Sequence, residues 1–305
     1  MQLPAGVLAF AARGPAWAEF VDRLPALLRD LLDDWQLTGD GAPLHGYCAL
    51  VLPVRTAGSR PAMLKVGFRD EESEHEHLAL QHWHGRGAVR LLRADPARGA
   101  LLLERLHQED LGDLWDLEAC EIVAGLYAQL HVPAVPQLRT LTSYVERWSA
   151  DLSALPRSAP LPRRLVEQAV ALSRDLVSDP ASTGMMIHTD LHYGNVLAGD
   201  REPWLAIDPK PVSGDPHYEP APMLWNRLDE LTGSEGQGLR SGLRQRFHRL
   251  VDVAELDEHR ARDWVVVRMM HNALWRLQDE PGTVRLTATD DHLTACIAIA
   301  KAVQD

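Results

Sequence analysis

Four residues in the stretch MMIHTDLHYGNVLAGDREPWLAIDPKP carry groups able to move protons or bind a cation: His188, Asp190, Asn195 and Asp208. They stand among apolar residues, where a carboxylate is costly unless something binds it. Asp190 lies five residues before Asn195, and Asp208 comes thirteen after that. The GDRE between the two apolar runs is a turn signal, so the stretch reads as a loop, a short hairpin and a second loop. A loop followed by a tight turn aims Asp190 and the Asn195 amide at one point, and Asp208 returns at the end of the neighbouring strand. Asn195 and Asp208 are oxygen ligands that suit a hard divalent cation such as Mg2+.

A magnesium site that keeps waters and waits for substrate phosphates is a phosphoryl-transfer site in outline, with Asp190 facing the acceptor hydroxyl. The spacing H-x-D-x4-N followed by a later aspartate matches the layout of kinases. His188 is read as a structural histidine pinning the loop. Such a site needs a strand lysine for the nucleotide phosphates. Of 31 basic residues only Lys65, Lys210 and Lys301 are lysine, so arginine is the default cation of this chain. A position that keeps lysine against that bias points to a need for a compact ammonium. Lys65 sits in AMLKV, a predicted strand, and Lys210 reads either as a phosphate contact or as a strand-end surface lysine. Glu71, Glu72, Glu74 and Glu76 are the candidate partners for Lys65. Helical spacing groups Glu76 with Leu80 and Trp83 on one face, which selects Glu76. Backbone groups near Glu104, Arg105 and Leu106, at the end of the strand ALLLERL, are placed to meet an adenine edge. Gly39, Gly41 and Gly46 open the first strand, but there is neither a G-x-G-x-x-G nor a Walker lysine motif.

The elements that must position these groups follow from periodicity. Trp17, Phe20, Val21, Leu24, Leu28, Leu31 and Leu32 make a helical stripe over 16–35, which Pro25 is expected to kink or split. Strands are predicted around 47–54 and in PAMLKVG, then a helix from Asp70 through Trp83, then two strands joined by a DPARG turn. Beyond Leu106 the pattern is mainly helical: 113–131, a helix opening with a Ser143/Glu146 capping box, 161–178, and later stretches over 219–231, 237–254, 258–279 and 287–303. The expectation is an α+β chain with a two-lobed protein-kinase-like fold. Residues 1–106 form a small antiparallel-sheet nucleotide-binding lobe, and 107–305 form a mainly helical catalytic and substrate-binding lobe.

HTDLHYGNVL, WLAIDPKP and GDPHYEPAPMLWNR resemble the aminoglycoside phosphotransferase-like kinases, in particular the streptomycin 6-kinase and hydroxyurea phosphotransferase branch. HEHLALQHWHGRGAVRLLRADPARGALLLERL is similar to the small lobe of that branch. The resemblance runs from Gly39 to Arg227 in recognisable segments. It implies use of ATP and Mg2+ to phosphorylate a hydroxyl of a small molecule. Asp190 is then the catalytic aspartate, Asn195 and Asp208 hold magnesium, Lys65 contacts the phosphates and Glu76 orients Lys65. His192 stands where protein kinases usually keep a lysine, which argues against protein substrates.

The net charge of -12 disfavours a nucleic-acid surface and tolerates a cationic acceptor. No apolar run reaches the roughly 18 residues of a membrane span, and the N-terminus lacks a basic start and cleavage site. Cys48, Cys120 and Cys296 are widely spaced without a CxxC pair, so a reducing cytoplasm and a monomer are expected. The seven-residue spacing of His75 with His82, and of His77 with His84, is too long for shared zinc coordination. Trp225, Trp264 and Trp275 lie in helical stripes as core candidates. Glu219, Asp229, Glu230, Asp279 and Glu280 are acids able to pair with a cationic acceptor, with exposed helical positions the more common case. The acceptor alternatives are streptomycin, another antibiotic, a hydroxyurea-like compound or a metabolite. A ligand-sequestering protein that keeps the fold without turnover is the alternative of another class.

Overall fold

The structure is a computed structural model that describes residues 3–232, 238–278 and 290–304. By its internal contacts the chain divides into two units, Met1–Glu109 with Leu197–Lys210, and Asp110–Val196 with Pro211–Asp305.

The first unit opens with the short helix α1 (Ala5–Leu8), a 3-10 turn (Ala9–Arg13) and α2 (Pro15–Asp34). Contrary to the expected split, α2 runs through Pro25 as one helix. Its stripe Val21, Leu24, Leu28 and Leu31 is buried, and that packing outweighs the single ladder bond a proline forfeits. The strands β1 (Thr38–Gly39), β2 (Leu44–His45), β3 (Ala49–Arg55), β4 (Pro61–Gly67), β5 (Leu91–Asp95) and β6 (Ala100–Glu104) form one antiparallel sheet. Its order is β1-β3-β4-β6-β5, with β2 also on β3. Leu50, Leu52, Val54, Ala62, Leu64, Val66 and Leu102 share a core with the α2 stripe. Alternation along β4 therefore turns Lys65, between Leu64 and Val66, to the opposite face, where the register pairs it with Val51 and Leu101.

The helix expected from Asp70 begins later, as α3 (Glu76–Trp83). The Asp70 carboxylate accepts the N–H groups of Glu72 (3.1 Å) and Ser73 (2.8 Å), a side-chain turn that competes with helical bonding. Starting the helix at Glu76 still buries Glu76, Leu80 and Trp83. The hairpin β9 (Val196–Ala198) and β10 (Trp204–Ala206) carries the chain back to this unit, where Ala206 donates to the Gly87 carbonyl and accepts from Val89.

In the second unit α4 (Asp116–Leu130), α5 (Leu141–Ala154) and α6 (Arg163–Ser178) precede α7 (Ala221–Trp225), α8 (Leu228–Thr232), α9 (Leu239–Val253), α10 (Glu258–Gln278) and α11 (Asp291–Ala302). The helical stretch expected over 219–231 is broken between α7 and α8, where Arg227 takes φ +53°. The cap of α5 is Thr140, not Ser143: the Thr140 hydroxyl accepts the Ser143 N–H, and Ser143 donates back to the Thr140 carbonyl. The small sheet β7 (Val132–Pro133), β8 (Met185–Ile187) and β11 (Val212–Gly214) is antiparallel, in the order β11-β8-β7. A Cβ on Gly214 would fall 2.5 Å from Ile187 Cδ1, so a larger residue there would have to displace that side chain. Ile187, Val212, Tyr218, Trp264 and Val267 pack with Leu141 and Val145 into the core below the loop that follows β8. Among the described residues no helix is long and apolar enough to cross a membrane.

Leu28→Ala removes a fully buried side chain from the α2 face. It should destabilise the chain by about 2–5 kcal/mol, read as a lower urea midpoint at unchanged slope. A shift of only a few tenths of a kcal/mol would mean that α2 is not packed on the sheet.

Candidate active site

The first unit brings Lys65, Glu76 and Asp208 together. Lys65 Nζ lies 2.7 Å from both Oε1 and Oε2 of Glu76 and 2.6 Å from Oδ1 of Asp208. Burial alone would push the lysine towards neutrality, but Asp208 and then Glu76 overcome it and raise its pKa above the ordinary lysine value. Burial raises the Glu76 carboxyl, with Lys65 opposing. Lys210 Nζ is 3.9 Å from Asp208 Oδ2, so this lysine faces the same carboxylate. Asp208 adopts φ +55°, in the left-handed region, and its side chain is held by the lysine.

Glu104 ends β6 with its carboxylate engaged, accepting the Arg90 N–H at 2.8 Å and pairing with Arg201 at 2.7 Å. Arg105 ties the sheet together through Asp40 (2.7 Å) and the Val54 carbonyl (2.6 Å). Leu106 is half-buried, and the next residue, His107, donates its N–H to the Ala198 carbonyl. The side chains of Glu104 and Arg105 are thus structural, which leaves main-chain groups for any purine edge.

In the second unit Asp190 and Asn195 are one turn apart. Asn195 Nδ2 donates to the Asp190 carbonyl at 2.8 Å and approaches Asp190 Oδ2 at 3.4 Å, so the amide oxygen is turned away from Asp190. His192 Nδ1 accepts the Gly194 N–H at 3.2 Å, which in the neutral ring puts the proton on Nε2, 4.0 Å from Asp190 Oδ1. His188 is fully buried, and its Nδ1 accepts the Asp190 N–H at 3.3 Å.

The loop rests on Glu219. Among helical acids exposure is the common case, but Glu219 is completely buried. It accepts the backbone N–H groups of His188 and of Thr189 (3.3 Å), with His131 Nε2 at 3.7 Å. Burial would raise its pKa; the histidines and the backbone donors outweigh that and hold it below the ordinary 4.5. The anchor matters because Thr189, a β-branched residue, is forced to φ +63°. Tyr193 in the same loop donates to Asp116 at 2.5 Å, and fully buried Arg246 holds the other oxygen of Asp116 at 2.7 Å. Asp116 and Arg246 carried no sequence signal. Trp264 is core and donates to buried Asp215 at 2.6 Å, whereas half-buried Trp225 and Trp275 flank the Arg268 guanidinium. Glu230 is paired with Arg227, and Asp279 and Glu280 lie outside the described residues.

A buried lysine–glutamate pair on an antiparallel sheet, a metal-type aspartate beside it, and an Asp-x4-Asn loop define a kinase-type phosphotransferase in outline. The sequence pattern of the aminoglycoside/hydroxyurea antibiotic resistance kinases matches residues 34–280, and the chain belongs to that family. It is 41% identical to a streptomycin 6-kinase of Streptomyces glaucescens over 89% of this chain and 88% of the relative. It is 40% identical to a hydroxyurea phosphotransferase of Kitasatospora aureofaciens over 92% of this chain and 81% of the relative. An aminoglycoside phosphotransferase solved in ternary complex with ADP and hygromycin B superposes with a TM-score of 0.58 at 16% identity, over 90% of this chain and 97% of that one. The fold is protein-kinase-like, and the chain is a small-molecule phosphotransferase.

Glu219→Ala leaves two backbone donors buried without their acceptor, and should cost about 3 kcal/mol or more near neutral pH. Because the folded pKa is depressed, the contribution is complete above the ordinary value of 4.5 and is lost as pH falls through the folded value. Denaturant unfolding of wild type and variant across acid pH should show the gap shrink as pH falls; a constant gap would contradict the charged anchor.

Proposed function

We propose that this kinase uses ATP and Mg2+ to phosphorylate a hydroxyl of a small cationic acceptor, a streptomycin-type aminoglycoside first, in the cytoplasm. The observation that carries the nucleotide part is the Lys65–Glu76–Asp208 cluster. Its three groups sum to one negative charge, which suits a site that receives a divalent cation together with phosphates. In the first unit Lys65, aimed by Glu76, offsets charge on the phosphoryl oxygens, and the main chain of Glu104 and Leu106 offers hydrogen bonds to the base. Lys210 adds a second cation beside Asp208.

In the first unit Asp208, and in the second unit Asn195, are the residues suited to hold magnesium, which would supply charge neutralisation at the transferring phosphoryl group. Their donors fit: a carboxylate, and an amide oxygen turned away from Asp190 by the bonds of its own nitrogen. In the second unit Asp190 orients the acceptor hydroxyl and takes its proton as the hydroxyl oxygen bonds to the γ-phosphorus of ATP, while the bond from that phosphorus to the β–γ bridging oxygen breaks and ADP leaves. The Nε2–H of His192 faces the same carboxylate at 4.0 Å. The near-equal identity to the hydroxyurea phosphotransferase supports a second acceptor, hydroxyurea, whose hydroxyl would take the same position beside Asp190.

Incubation with ATP and Mg2+ across streptomycin, other aminoglycosides, hydroxyurea and simple amino alcohols, read by mass, should give a singly phosphorylated streptomycin. Product from hydroxyurea alone would move the acceptor to the second reading. Nucleotide binding with no product from any acceptor would favour the sequestering protein. In Asp190→Asn the kcat should fall by about 10²–10⁴ with little change in KM for ATP. Lys65→Met should lower kcat/KM by ~10² or more; wild-type rates in either variant would remove these roles.

A further inference from the structure

The N-terminal arm is the part of the first unit that the phosphotransfer chemistry leaves unused. Arg13, the last residue of its 3-10 turn, donates from Nη1 to the Tyr47 carbonyl at 2.6 Å. Its guanidinium lies 4.1 Å from the Tyr47 ring centre, and 4.7 and 4.9 Å from the rings of Phe10 and Trp17. Tyr47 is 80% exposed, so the sheet itself does little to hold it.

The arm grips the same turn at both ends. At its entry Phe10 meets His45 edge-on at 6.2 Å, and a Cβ on Gly6 would fall 2.1 Å from His45 Nε2, so the arm backbone lies flush against that ring. At its exit Trp17 stacks at 3.8 Å on Phe68, whose N–H donates to the Cys48 carbonyl at 2.8 Å. Within the turn the Gly46 N–H donates to the Ala49 carbonyl at 3.0 Å, while the N–H groups of Tyr47 and Cys48 have no acceptor among the described residues. Cys48 stands within the electrostatic reach of Asp208, Lys65 and Lys210.

We propose that Arg13 is a positioning residue: by clamping the Gly46–Ala49 turn to the arm, it holds the N–H groups of Tyr47 and Cys48 ready for the phosphates of the nucleotide bound at Lys65. The inference rests on the nucleotide reading above. It also accounts for the missing glycine-rich loop. A mobile loop is ordered at the expense of binding energy, whereas a clamped turn is ordered beforehand.

The test measures the affinity of Mg·ATP by calorimetry in the absence of acceptor, then KM and kcat, for wild type, Arg13→Ala and Arg13→Lys. Arg13→Ala should weaken Mg·ATP binding and raise its KM by about five- to tenfold, the scale of one exposed cation–π and hydrogen-bonded contact. Its turn amides should exchange faster with solvent, while the acceptor KM and the thermal midpoint stay at wild-type values. Arg13→Lys, which keeps a cation over the ring, should recover part of the loss. Unchanged nucleotide affinity in Arg13→Ala would overturn the clamp. So would an equal rise in both KM values with a fall in the midpoint, the signature of a packing role. A wild-type chain that binds Mg·ATP but phosphorylates no acceptor would overturn the kinase reading while the clamp is still measured; one that binds no Mg·ATP would overturn both.

Discussion

One buried ammonium, held by two carboxylates, sets the terms for the first unit. Lys65 Nζ contacts both oxygens of Glu76 and one of Asp208, and an unpaired charge at that depth would cost several kcal/mol. The rest of the unit is arranged so that these groups meet. The alternation of β4 must put Lys65 on the face away from α2, α3 must begin where Glu76 points inward, and the β9–β10 hairpin must return Asp208. Asp208 accepts a left-handed backbone to do so, strain that the lysine contact helps to retain.

The second unit solves a different problem with the same physics. Its loop must hold Thr189 in a backbone conformation that a β-branched residue avoids. A buried carboxylate, Glu219, fixes two successive N–H groups there, and Asp116 with Arg246 fixes the other end through Tyr193. Both strained positions, Thr189 and Asp208, adjoin groups expected to do chemistry, and each is held by a charged partner. Stability and geometry at the candidate site are therefore one property of the chain.

Much of this was legible in the sequence for stated reasons. The Lys65–Glu76 pair could be read because lysine is rare in this chain and because helical spacing separated Glu76 from its neighbours. The antiparallel sheet followed from strand periodicity and turn residues. Glu219 could not be read, since its partners are main-chain N–H groups about thirty residues upstream that leave no side-chain pattern. Asp116 and Arg246 are 130 positions apart and meet only through the tertiary fold. Local errors had local causes: Asp70 closed a side-chain turn where a helix was expected, Thr140 outcompeted Ser143 as the cap, and packing carried α2 through Pro25.

If the Lys65–Glu76–Asp208 cluster receives a nucleotide together with a divalent cation, as proposed, ATP affinity must depend on that cation. Calorimetric titration of ATP into the wild-type chain with Mg2+ and with a chelator, repeated on Asp208→Asn, tests it most directly. The expected result is tight binding that weakens when the cation is chelated, and an Asp208→Asn chain in which that dependence is largely gone. ATP affinity equal with and without the cation, or a cation dependence unchanged in the variant, would contradict it.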